Sequence, residues 1–360
     1  MKPNTTVMKP DGIKIKTVAV LIALIFSLEM NAQMITDKMV DIGQMQSKDL
    51  NKAPKKMFIK NFKVYYQMIA EAEKTIQGGR QFGGGSYTGD ATARLAVGVE
   101  GIEPEQLQQL TNRLYNDYVA KLKNLGMEVY TSKDYTNLES FEGDELLDGP
   151  RINEEQIEGS LMVVPDGFSY YVKRVTKKGK EKGGFMSNMA SNEAASEFSS
   201  SLAFKGLPKL SMELDDMIVV DVAVNVPSMY MDKKAALGTV KIKGGAYLRI
   251  ENARATYASG KLKKPGVATP DKYIELMLKE PIKINGVFAE QEFKSQAKKQ
   301  TTSVPSYSSY FSVGNSKMEL SNTIKCNSED YTREVGKAVT EFLDFSIDKL
   351  KVGLSGEKVK

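Results

Sequence analysis

The chain offers few side chains able to do covalent chemistry. Serine–lysine hydrolysis needs a Ser nucleophile and a Lys base, commonly one helical turn apart as Ser-x-x-Lys. Ser295 with Lys298, Ser346 with Lys349 and Ser355 with Lys358 have that spacing, but 27 Ser and 42 Lys in 360 residues produce as many by chance. Neither Ser-Asp-Asn nor Lys-Thr-Gly accompanies them. Paired carboxylates hydrolyse glycosides without histidine, and Asp215-Asp216 and Glu154-Glu155 are the doublets available. Adjacent residues on a strand point to opposite faces, so neither doublet forms a facing pair by itself. Asp166, Asp215, Asp216 and Asp221 lack the Asp-x-Asp-x-Asp-Gly spacing of a calcium loop. The glycine-rich stretch 78–90 is not followed by the Lys of a phosphate loop, and the next residues read as a strand. It is expected to join two strands.

Composition closes further routes. Without histidine there is no Ser-His-Asp or Cys-His machinery, no imidazole metal ligand and no imidazole switch near neutral pH. The single cysteine, Cys326, excludes an intramolecular disulfide and any Cys-built zinc or iron–sulfur site. We therefore expect no catalytic, cofactor-binding or metal-binding residue, and no cofactor. Lys outnumbers Arg 42 to 8, a bias that favours solubility over bidentate recognition of phosphate or carboxylate.

Two patches are candidates for contact rather than chemistry. Lys173, Arg174, Lys177, Lys178, Lys180 and Lys182 form a basic run that would attract a polyanion at low salt. Tyr307, Tyr310 and Phe311 form a short aromatic strip, although the absence of Trp weakens any reading of it as a sugar platform.

The first 32 residues read as an address. Lys14 and Lys16 precede the apolar run TVAVLIALIFSL at 17–28, and a small residue, Ala32, precedes Gln33. That order is a cleavable export signal with the cut between Ala32 and Gln33. Twelve residues are too few for a membrane-spanning helix, which needs about 20. No other stretch approaches that length, so the mature chain is expected to have no transmembrane helix. Removing the leader takes four Lys, one Asp and one Glu, which lowers the net charge from +5 to +3. Such a charge makes no case for nucleic acid.

The remaining pattern predicts the elements that position these groups. Residues 33–54 are polar and Met-rich without a period, and read as an arm or linker. A strand is expected at 57–70, with Phe58, Phe62, Val64, Tyr66 and Met68 on one face and Asn61, Lys63 and Gln67 on the other. Ala93, Leu95, Val97 and Val99 mark a second. Leu107, Leu110, Leu114, Tyr118, Leu122 and Leu125 form one stripe of a helix over about 104–125, begun by Pro104 and stopped by Gly126. A short strand follows at 127–131, and a hairpin is expected at 161–175 around Pro165-Asp166-Gly167. Val220, Val222, Val224 and Val226 alternate with Asp221, Ala223 and Asn225 in a strand at 217–226. Strands follow at 240–257, broken by Gly244-Gly245, and at 274–284, broken by Pro281. A helix at about 329–352 carries Tyr331, Val335, Ala338, Phe342, Leu343, Ile347 and Leu350, with Gly353 as its stop.

Strands outnumber helices and often follow one another directly. The fold class is α+β: a mixed, largely antiparallel sheet with the two amphipathic helices packed on it. The expected organisation is a signal peptide at 1–32, a polar arm at 33–54, one domain at 55–353 and a flexible tail at 354–360. No family resemblance is specific enough to claim. The expected function is that of an exported, non-enzymatic envelope protein, periplasmic or outer-membrane associated, that binds an envelope protein or an anionic envelope polymer. The alternatives are a His-independent carboxylate hydrolase acting on polysaccharide or cell wall, and an oligomeric accessory of secretion or assembly.

Overall fold

The architecture grows from one strand of 12 residues, Lys56–Gln67, whose β-branched and aromatic side chains leave almost nothing exposed. The computed structural model describes residues 35–76, 79–80, 87–88, 91–135, 137–153, 159–172, 206–236, 239–260, 272–295 and 322–360. Along the chain come β1 (Val40–Met45), a 3₁₀ turn (Ser47–Lys52), β2 (Lys56–Gln67), β3 (Ile69–Ile76), β4 (Gly79–Arg80), β5 (Tyr87–Thr88) and β6 (Ala91–Glu100). Then follow α1 (Pro104–Asn124), β7 (Glu128–Thr131), a short 3₁₀ turn (Glu139–Phe141), β8 (Glu145–Asp148), β9 (Arg151–Asn153), β10 (Ser160–Val164) and β11 (Ser169–Val172). The second half comprises α2 (Leu207–Glu213), β12 (Ile218–Val226), β13 (Met229–Ala236), β14 (Thr239–Ala246), β15 (Arg249–Ser259), β16 (Lys272–Leu278), β17 (Ile282–Lys283), β18 (Glu292–Lys294), β19 (Asn322–Lys325) and α3 (Ser328–Leu354).

The central sheet has the order β1-β16-β15-β12-β2-β10-β9, with β7 also on β2 and β17 on β15. Its core is the parallel pairing of β2 with β12; the flanking pairs β12–β15, β15–β16 and β1–β16 are antiparallel. The other edge of β2 is shared: β7 covers Lys56–Ile59 and β10 covers Val64–Gln67. Between those two partners the register with β12 slips by one residue, Val220 facing Ile59 and Asp221 facing Asn61. A bulge reverses which residues face which side. Phe58 and Phe62, expected on one face, accordingly lie in separate clusters. Phe58 packs with Phe141, Leu207, Leu210 and Met217, whereas Phe62 belongs to the main core.

One face of this sheet carries α1 and α3, packed side by side. The predicted stripe of α1 is buried from Leu107 to Leu122, with Leu125 partly buried, and the whole stripe of α3 is buried. The Asn327 side chain caps α3 by accepting from the Glu329 and Asp330 amides, and the Gln106 side chain accepts from the Glu103 amide at the start of α1. Helices and sheet are tied by a buried relay. The Tyr118 hydroxyl donates to Tyr257 at 2.8 Å, the Tyr257 and Ser346 hydroxyls are 2.8 Å apart, and Ser346 donates to the Leu343 carbonyl.

β2 and β12 each run on, past Met68 and past Pro227-Ser228, into a hairpin of a second layer. β3 pairs with β6, and β13 with β14; the two hairpins pack against each other. β19 lies parallel to β6, and β18 antiparallel to β14. Gly244 and Gly245 sit where this layer closes. A Cβ on Gly245 would lie 2.5 Å from the Tyr230 ring and 2.7 Å from the Gln291 carbonyl oxygen.

The α+β class and both packed helices are as expected. Other expectations need correction. Residues 33–54 were expected as an arm, yet β1 is an edge strand of the central sheet and the following 3₁₀ turn packs on α3. The tail expected at 354–360 ends with Val359 buried, its amide donating to Ser47, and the compact unit spans Ile35–Lys360. Gly353 is inside α3 rather than at its stop, and what calls for glycine there is packing: a Cβ would meet the Ser47 carbonyl oxygen at 3.0 Å. The expected hairpin at 161–175 is not one: β10 pairs with β2 and β9, while β11 pairs with β8. The strand expected over 240–257 is two strands in different sheets. The glycine-rich stretch does join two strands, and holds the small pair β4–β5. The leader at 1–32 lies outside the described residues.

Replacing Tyr257 with Phe leaves the buried Tyr118 hydroxyl without its acceptor and should cost about 2–3 kcal/mol. Urea unfolding at neutral pH checks this, and a loss below about 0.5 kcal/mol would show that the relay contributes nothing net.

Candidate functional site

Strand periodicity places Tyr257 against the helices, so its neighbours Thr256 and Ala258 point to the other face. That face is not simply a solvated one. In register across five strands lie Gly43 on β1, Glu275 on β16, Thr256 on β15, Asp221 on β12 and Asn61 on β2. The next rung on the same face reads Asp41, Met277, Arg254, Ala223 and Lys63. Asn61, Lys63, Asp221, Arg254, Thr256 and Glu275 are all buried, Arg254 to 1% exposure.

The bulge in β2 creates this row, because it brings Asn61 level with Asp221. Arg254 Nη2 donates to Asp221 Oδ1 at 3.0 Å, and Asn61 Nδ2 donates to Asp221 Oδ2 at 3.2 Å. The Lys63 ammonium lies 5.2 Å from the centre of the Tyr170 ring. Burial opposes ionisation of Asp221, but Arg254, Lys60, Asn61 and Lys63 together hold its carboxyl below the ordinary value. Glu275 is in the opposite situation. Burial lifts its carboxyl to about 7, Arg254 pulling it down and Asp221 and Asp41 adding to the rise.

Four hydrogen-bonding atoms on these rungs are buried without a partner: Arg254 Nε, Arg254 Nη1, Thr256 Oγ1 and Glu275 Oε1. Chemically the site can exchange a proton near neutral pH and can offer hydrogen-bond donors to a guest. Among the described residues no group of three or more Cys, Asp or Glu could hold a metal ion.

Lys173, Arg174, Lys177, Lys178, Lys180, Lys182, Tyr307, Tyr310 and Phe311 lie outside the described residues, as do Glu154 and Glu155. Asp215 and Asp216 both have left-handed backbone, with φ of 53° and 64°, and turn the chain from α2 into β12. The serines of the Ser-x-x-Lys spacings are engaged with main chain: Ser295 accepts from the Ile242 amide, and Ser346 and Ser355 donate to Leu343 and Val352. Burial, with Asp330 nearby, pushes the Cys326 thiol up to about 12, far from reactive.

Sequence reasoning missed Arg254, Thr256 and Glu275, and noted Asp221 only as an alternate residue of a strand and as an aspartate without a calcium-loop spacing. The usable signal was the polar alternation on four strands at once. A sequence does not distinguish a polar face turned to water from one closed over by other elements.

The two carboxylates have opposite linkage to pH. Asp221 stabilises the fold above the ordinary carboxylate value, and that contribution is lost as acid protonates it in the folded chain. Glu275 holds a proton in the folded chain that the unfolded chain has already released, so stability falls as pH rises from the ordinary Glu value to about 7. Denaturant unfolding from pH 5 to 8 should show this decline. Glu275→Gln should flatten it and regain about 1–3 kcal/mol at pH 8. An unchanged slope in that variant would place the titration elsewhere.

Among the described residues no helix is long and apolar enough to cross a membrane. Comparison with protein-family models, with curated proteins and with solved structures finds no match to this chain.

Proposed function

We propose that the chain is an exported protein of the cell envelope, periplasmic or outer-membrane associated, that acts by binding or assembly rather than by catalysis. The observation that carries this reading is the leader: Lys14 and Lys16, twelve apolar residues at 17–28, then Ala32 before Gln33. Its partner is an envelope protein or an anionic envelope polymer. The basic run from Lys173 to Lys182 and the strip Tyr307, Tyr310 and Phe311 are the sequence segments we assign to that contact. The absence of histidine supports the non-catalytic reading, since it removes the commonest general base.

One observation favours a second reading, a carboxylate hydrolase of envelope polysaccharide. Asp221 and Glu275 flank Thr256 on a single rung, with ionisation driven in opposite directions. Environments that separate two carboxyl groups in this way assign an acid and a base. Two strand spacings put their backbones about 9.6 Å apart, near the wide limit for inverting glycosidases.

Fractionation of cells expressing the chain, followed by N-terminal sequencing, tests the export reading. The expected product begins at Gln33 in the envelope fraction, and a full-length chain retained in the cytoplasm would overturn it. Changing the six basic residues to Gln should reduce envelope retention. Release of reducing ends from envelope polysaccharide that Glu275→Gln abolishes would instead favour the hydrolase.

A further inference from the structure

We propose that the buried face of the central sheet takes up a small anion, of halide or formate size, at Arg254 and Thr256, together with a proton on Glu275. The inference is independent of where the chain is located. It rests on the inventory of unsatisfied atoms. Arg254 uses only Nη2, on Asp221, and its Nε and Nη1 donors have no partner at 1% exposure. The Thr256 hydroxyl, one residue pair away on the same face, also has none. A buried donor left without an acceptor carries its full desolvation cost, so an occupant that accepts from these donors is favoured. The fourth unpartnered atom, Glu275 Oε1, is an acceptor when ionised and becomes a donor when protonated. With the proton in place, every unpartnered atom of the group donates, and the complement of such a set is an anion.

The charges facing the site agree. Asp221 has both oxygens engaged, by Arg254 and Asn61, and Lys63 on β2 adds a second cation over the Tyr170 ring. An ionised Glu275, with Asp221 on β12 and Asp41 on β1 already near it, repels an anion. A cation is disfavoured by the guanidinium itself. Anion and proton therefore enter together, and the burial that lifts Glu275 to about 7 sets the pH at which they do so.

Chloride-35 NMR line broadening on the purified protein, at constant ionic strength made up with gluconate, tests the assignment. Broadening is expected at pH 5.5 and should be displaced by bromide and by formate. Between pH 5.5 and 8.5 the apparent Kd should rise about thirtyfold, the fraction protonated falling with a midpoint of about 7. Glu275→Gln, a neutral stand-in for the protonated acid, should bind at both pH values. Thr256→Val, which keeps the shape and removes the hydroxyl, should weaken binding several-fold. No broadening beyond that in a histidine-free control of like charge would mean that water alone satisfies the donors, and would overturn the proposal. So would a folded Glu275→Gln chain with the native pH dependence, or a folded Thr256→Val chain with native affinity.

Discussion

Everything in this fold depends on the parallel pairing of β2 with β12. A parallel pair cannot be closed by a tight turn, so the chain between the two strands must travel away and return. Here that excursion contains the β3–β6 hairpin, α1 and the strands β7 to β11. The same pairing explains the second layer. Two parallel neighbours end at the same edge of the sheet, so β3 and β13, their continuations, leave it side by side. Each then folds back as a hairpin, and the two hairpins cover one another. Gly244 permits the close approach there: a Cβ on it would lie 3.1 Å from the Leu95 side chain of β6.

The two faces of the sheet obey different rules. Against α1 and α3 the interface is largely apolar, crossed by the Tyr118–Tyr257–Ser346 relay and by the Tyr66–Thr111 hydroxyl pair. On the other face the Arg254–Asp221 pair is desolvated, and a buried ion pair is weak grounds for stability because desolvation offsets most of the attraction. What the pair does contribute is register. A one-residue slip of β12 would carry Asp221 into the apolar layer under the helices and leave Arg254 and Asn61 facing hydrocarbon. The bulge in β2 and the ionic row thus enforce the same alignment, one through backbone geometry and the other through charge.

The helices were legible in the sequence because an amphipathic stripe of 21 or 27 residues repeats its signal many times over. The strands were legible as strands, but their partners were not. Residues 161–175 carry a strong turn, Pro165-Asp166-Gly167, and a local reading pairs the strands beside it. Non-local pairing prevails because β10 finds the buried β2 segment Val64–Tyr66 as its partner, while β11 pairs with β8. β1 escaped notice for a related reason: an edge strand half covered by one neighbour needs no clean alternation. The site was least legible of all. Asn61, Asp221, Arg254 and Glu275 are spread over more than 200 residues, and only the strand order brings them onto one rung or its neighbour.

A chain without histidine has no side chain whose ordinary ionisation falls near neutral pH. Here that role passes to a carboxyl, and a carboxyl reaches it only by burial. Exposure would return Glu275 to the ordinary Glu range, so its sensitivity near neutrality and its place in the packed sheet are one property. Protonation at Glu275 is consequently coupled to the pairing of β16 with β15 and β1, the outer strands of the central sheet. An imidazole on the surface could titrate without consequence for the fold. A buried carboxyl cannot, because the cost of its ionised form is charged against the strands that enclose it.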